Sequence, residues 1–270
     1  MIYVFIISLI FLLWLIWSIV SNNKKFKSEL SKDDLLFLEQ HVKFYRELSQ
    51  EKRLLFESAA ANFLKDVRVE WLGTEKVETD RLLVAASAVI PIFGFPDWKY
   101  PNISSVIIYP DTFNHNFQFE GKERNILGMV GSGYMNRQMI LSQQALRNGF
   151  SIENDGSNTG IHEFVHLLDK SDGTIDGMPE YLLTHPYVLP WINLVHQEIK
   201  KIKQGKSKIN TYAATNESEF FAVIAEYFFE KPKQLKEIHP ELYMMLEKIF
   251  KQNPLGFKQN IIKDLMLFLI

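Results

Sequence analysis

Residues 161–169 read Ile-His-Glu-Phe-Val-His-Leu-Leu-Asp. His162 and His166 are four apart, so on a helix they stand one above the other on one face. Two imidazoles at that spacing can reach a single metal ion. Glu163 follows the first of them and would lie beside the ion, where it can take a proton from water. The flanking Ile161, Phe164, Val165, Leu167 and Leu168 are apolar and no proline interrupts, so this helix is expected to be largely buried. A catalytic metal needs a third protein ligand and one open position. Asp169 stands where a sharp return of the chain would need glycine, which leaves Asp172 a weak ligand. The helical stretch 216–226, Asn-Glu-Ser-Glu-Phe-Phe-Ala-Val-Ile-Ala-Glu, offers Glu217, Glu219 and Glu226 instead. Glu219 and Glu226 are two turns apart and share a face, but spacing alone does not choose among the three. Asn114-His115-Asn116 reads as a polar surface loop, and His41, His185, His196 and His239 lack partner spacing.

Composition narrows the chemistry further. The 270 residues include no cysteine, which excludes thiolate catalysis, iron–sulfur clusters and cysteine zinc sites. Thirty Lys and Arg against 32 Asp and Glu leave a net charge of −2, so direct nucleic-acid binding is not expected. A site built from His and Glu survives both exclusions.

The elements that must position it follow from patterning. Asp33 and Asp34 after Ser31 suit a first helical turn, and a second helix is expected from Gln50 to about Lys65. VRVEWLG reads as a strand. RLLVAASAVIPIFGF reads as a buried helix ended by Pro91. Strands are expected at 104–110, 126–131 and 137–142, the last two joined by a turn at Gly131-Ser132-Gly133. Helices follow at about 158–170, 186–204 and from 216 to before Pro232, with two more at the C-terminus. The fold class is therefore α+β, a small sheet with flanking helices.

Met1–Val20 carries no charged side chain and, as a helix of about 30 Å, matches a bilayer core. Trp14 and Trp17 suit the headgroup region. The segment does not open with Lys or Arg and no A-x-A-like cleavage site follows, so it reads as a retained transmembrane anchor rather than a signal peptide. Lys24, Lys25 and Lys27 behind it put the bulk of the chain in the cytoplasm by the positive-inside rule. The expected organisation is a transmembrane helix at 1–20, a polar basic tether at 21–30 and one domain at 31–270. The expected location is the inner or cytoplasmic membrane, single-pass, with the catalytic domain on the cytoplasmic side.

IHEFVHLLD, with TYAATNESEFFAVIAEYFF downstream, resembles the zinc metallopeptidase family of Mlc titration factor A. That family is similar in its catalytic core to the anthrax lethal factor protease domain. LVAASAVIPIFGFPDWKY, SSVIIYPDTF and the segment around ILSQQAL resemble it too, so the similarity runs from about residue 75 to 250. It implies a zincin-like metallopeptidase domain with one zinc ion on His162, His166 and Glu219. It also implies Glu163 as general base and Tyr212 as the tyrosine over the metal, donating to the developing oxyanion. Glu226 falls in a supporting place, and Asp169 could orient a ligating histidine. The implied partners are a peptide or protein substrate and a DNA-binding repressor of sugar uptake that the chain would sequester. In zincin-like folds an edge strand pairs with extended substrate, and any of the three strands could be that edge. The better-known members lack the first twenty residues, and residues 22–74 resemble the family only in being helical.

Overall fold

The computed structural model describes residues 30–179, 182–183 and 185–256, the side chains of 172 and 185 aside. The chain enters through a capping box: Ser31 Oγ accepts from the Asp34 N–H at 3.1 Å, and the Ser31 N–H donates to Asp34 Oδ2 at 3.0 Å. This starts α1 (Lys32–His41), which is followed by α2 (Lys43–Arg46) and α3 (Gln50–Asp66). β1 (Arg68–Trp71) leads to α4 (Asp80–Ile92), whose Ala, Val, Leu and Ile residues are buried nearly throughout. Pro91 does not end this helix as expected but lies inside its last turn. So close to the end the missing N–H costs one helical bond. The Gln252 side chain donates to the nearby carbonyls of Ile90 (2.9 Å) and Pro91 (3.3 Å).

β2 (Ser105–Tyr109), β3 (Gly128–Val130) and β4 (Gln138–Ser142) complete a four-stranded sheet among the described residues, in the order β1-β2-β4-β3. β1, β2 and β4 run parallel, and β3 is antiparallel to β4 at the edge. The expected turn at 131–133 is a longer connection that includes a 3-10 turn at Gly133–Met135. From β4 the chain passes directly into α5 (Gln143–Ser151), where Ser142 Oγ caps the Ala145 N–H. Asp80, almost fully buried, joins sheet to helices: it accepts from Arg147 Nε (2.7 Å), Gln143 Nε2 (2.7 Å) and Trp71 Nε1 (3.2 Å). A buried carboxylate is tolerated only with such partners.

Beyond the sheet come α6 (Thr159–Asp169), α7 (Val188–Lys203), α8 (Glu217–Glu230), α9 (Pro232–Ile238) and α10 (Pro240–Phe250). α6 is the centre of the molecule, touching α4, α8 and β3. Its Phe164 is fully buried, edge-on to Phe63 at 5.5 Å and tilted against Tyr100 at 5.3 Å. Burying a ring of this kind contributes about 1.5–3 kcal/mol. On the far side of α8, Phe221 stacks on Phe250 at 5.8 Å.

The expectation of a single-pass membrane protein is corrected here. Among the described residues no helix is long and apolar enough to cross a membrane. The most apolar, α4, has 13 residues and so spans about 20 Å, short of the roughly 30 Å of a bilayer core, and it is enclosed by protein. The segment 1–20, read as the anchor, lies outside the described residues.

Candidate metal centre

Two asparagine caps set the two helices that supply the site. Asn158 precedes α6, and its Oδ1 accepts from the Ile161 N–H at 3.1 Å. Asn216 precedes α8, and its Oδ1 accepts from the Glu219 N–H at 2.8 Å. Glu219 thus lies in a first helical turn, where the helix dipole favours a carboxylate. A 3-10 turn at Thr211–Ala214 carries Tyr212, whose N–H is capped by Asn210 Oδ1 at 3.0 Å.

α6 and α8 pack together, and their polar edges converge. His162 Nε2 lies 3.1 Å from Glu219 Oε2, His166 Nε2 lies 3.1 Å from His162 Nε2, and His166 Nε2 lies 3.5 Å from Glu219 Oε2. Zinc ligands stand about 2.0–2.1 Å from the ion. The edge of a tetrahedron of that size is about 3.3–3.4 Å, so three donors at these separations fit three corners around one ion. Among the described residues His162, His166 and Glu219 form a group able to hold a metal. The donor set of two imidazoles and one carboxylate suits zinc and leaves a fourth position open.

Glu226, two turns along α8 from Glu219, is buried and faces the other side of His162. Its Oε1 lies 2.8 Å from His162 Nδ1, and its Oε2 accepts from the backbone N–H of Asn158. In the neutral ring Nδ1–H would thereby be given to the carboxylate, leaving the Nε2 lone pair for a metal. Asp169, which could orient a ligating histidine, accepts from the Gly177 N–H at 2.8 Å through Oδ2. His166 Nδ1 is buried without a hydrogen-bond partner among the described residues.

The electrostatics match the geometry. Burial opposes the charged form of His162, but hydrogen bonds to Glu219 and Glu226 outweigh it and raise its pKa to about 10. Glu219 is also desolvated, yet hydrogen bonds to the two imidazoles hold its carboxyl far below the ordinary range. Glu163 is 6% exposed, and burial raises its carboxyl despite the nearby imidazoles. A raised pKa makes a carboxylate a better proton acceptor. Burial and the Glu219 carboxylate push the Tyr212 phenol up to about 12, so its hydroxyl stays a donor. The Tyr212 ring stands 6.1 Å from that of His162 and is half exposed.

A cleft of about 470 Å³ opens over these residues, lined by Leu127, Gly128, Thr159, Glu163 and Tyr212 among others. His115, read from sequence as surface, is exposed but also lines this cleft. Nothing in its local pattern marks that position, because the loop reaches the cleft only through the tertiary fold. β3 borders the cleft as one edge strand of the sheet. The N–H groups of Gly131 and Ser142 bond to Gln138 and Leu127 carbonyls across the β3–β4 ladder. Backbone polarity alternates along a strand, so Gly128 and Val130 turn theirs to the outer side.

The structure therefore brings His162, His166 and Glu219 together and sets Glu163 and Tyr212 beside them. His196 pairs with Glu217 at 3.4 Å and His239 with Glu198 at 3.3 Å, neither of them in this group.

The chain is also similar to known proteins. The model of a family described as glucose-regulated metallo-peptidase M90 matches residues 18–251. An uncharacterized protein of Synechocystis sp. (strain PCC 6803) is 29% identical over 255 residues, covering 90% of each chain. Mlc titration factor A of Pectobacterium atrosepticum is 28% identical over 227 residues, 77% of this chain and 82% of the relative. The protein of that name from Serratia proteamaculans is 28% identical over 194 residues, 66% and 71% of the two chains.

Proposed function

The chain belongs to the glucose-regulated metallopeptidase M90 family, and from that premise we propose that it hydrolyses peptide bonds with a single zinc ion held by His162, His166 and Glu219. The observation that carries this reading is the near-tetrahedral spacing of those three donors beside a buried carboxylic acid. When bound, the ion supplies Lewis acidity, which acidifies a water and polarises a carbonyl. Glu163 accepts the proton of the attacking water and returns it to the leaving amine, a use that its raised pKa supports. Tyr212, protonated at any physiological pH, donates its hydroxyl to the oxygen on which charge develops. Glu226 keeps the His162 ring in one tautomer and one orientation. An extended substrate would pair with the outward backbone groups of β3, which brings its chain across the cleft.

Glu163→Gln tests the proposal. It is expected to keep one equivalent of metal and to lower hydrolysis of an unstructured peptide by about 10²–10⁴-fold. A variant that cleaves as fast as its parent removes Glu163 from the role. A second reading, binding of a repressor protein, draws on the name Mlc titration factor A carried by several relatives. It needs neither the metal nor Glu163, whereas the full set of His162, Glu163, His166 and Glu219 favours retained chemistry. Capture of such a partner by the inactive Glu163→Gln protein would separate the two activities.

A further inference from the structure

We propose that Gly128 is a positioning residue: its missing side chain leaves the place in the edge strand where the Glu163 carboxylate is held. A Cβ built on Gly128 would stand 2.6 Å from Glu163 Cγ, 2.7 Å from Oε1 and 2.9 Å from Cδ. All three of its nearest neighbours thus belong to one side chain, and none belongs to His162, His166 or Glu219. Contacts under 3.0 Å are far inside van der Waals distance, so any residue but glycine would force the acid aside.

The backbone does not ask for glycine here. Gly128 lies in regular β3 and is not among the residues with positive φ. Its neighbours Leu127, Met129 and Val130 are large, as a strand prefers, and a glycine inside a strand weakens it relative to alanine. The local cost is met by what the gap allows, which is close approach of β3 to α6 with the Glu163 side chain between them. Glu163 is only 6% exposed, and the open side left to it is the cleft it lines. An acid displaced by a methyl group would therefore have to leave its present place beside His162 and His166.

The consequence for turnover rests on the reading of Glu163 as the proton carrier; the contact itself does not. Gly128→Ala in the full chain is expected to lower kcat by about 10²-fold, the effect of misplacing a reacting group by an ångström or so. KM and the metal content should stay as in the parent. Independently of any activity, Gly128→Ala should lower Tm in the parent but raise it in a Glu163→Ala background, where the methyl group has room and the strand gains from it. Opposite signs in the two backgrounds are the signature of a direct contact. Equal Tm shifts in both overturn the proposal. So does an active parent whose kcat is unchanged by Gly128→Ala. If the parent hydrolyses nothing, the peptidase reading falls, and the Tm cycle still decides whether Gly128 sets the position of Glu163.

Discussion

Which nitrogen of His162 is left to bind a metal is decided by Glu226, a carboxylate 64 residues away in sequence and 2.8 Å away in space. Replacing it with Gln puts an amide where one of two donors, His162 Nδ1–H or the Asn158 N–H, needs an acceptor. Glu226→Gln should weaken zinc binding by about 10–100-fold, measured by competition with a chromophoric chelator. Unchanged affinity would take Glu226 out of that role. The His-Glu-x-x-His pair was legible because four-residue spacing is a local property of one helix. The acid that joins them was not, because Glu217, Glu219 and Glu226 are all acids on one helical stretch, and only the packing of α8 against α6 brings one of them to both imidazoles. Family resemblance singled out Glu219, and the structure sets its Oε2 against both imidazoles. Gly128 and His115 could not be found from spacing, since their neighbours come from distant parts of the chain.

Helix starts matter as much as ligands. Asn158 is fully buried and serves three elements at once: it caps α6, its Nδ2 donates to the Gly149 carbonyl at 2.7 Å, and its backbone N–H holds Glu226. Asn158→Ala removes the cap, at about 1 kcal/mol, and strands a buried carbonyl, at about 1–3 kcal/mol. For a chain of this size each kcal/mol moves Tm by about 2–4 °C. A fall of roughly 5–10 °C is expected by calorimetry, and a shift of a degree or less would mean that the network is not built around this residue. Most elements could be read from periodicity, as the amphipathic run of α6 could. The misreadings came where tertiary contacts decide. α4 runs through Pro91 in the midst of a tightly packed core, and β3 shortens to three residues because the chain around it turns to meet α6 and the loop at Phe113.

At the scale of the molecule, Glu230 lies where the N-terminal helices meet the pair that carries the site. Burial raises its pKa to about 7, against a hydrogen bond from Asn158 and the charge of Lys43. In the unfolded chain it would titrate near 4.5. Between these values the folded state binds the extra proton, so this group favours folding below about pH 4.5 and that contribution is lost as pH rises through 7. Glu230→Gln, which stays neutral, should gain on the order of 1–2 kcal/mol over the parent at pH 8 and little at pH 5. Denaturation at the two pH values measures this, and an equal effect at both would contradict it. Residues 22–74 gave no functional signal beyond helical patterning. In their described part, α3 lays Phe63 against Phe164 and so backs the very helix that holds both histidines. β3 has a last consequence. Three residues of strand measure only about 10 Å, too short a rail to grip anything whose backbone is already satisfied within its own folds. If the proposed peptidase reading holds, a compact client would glance off it, while a frayed tail or an unravelled loop could be threaded along it, and substrates would be sorted by how loosely they are knit before a single side chain was consulted.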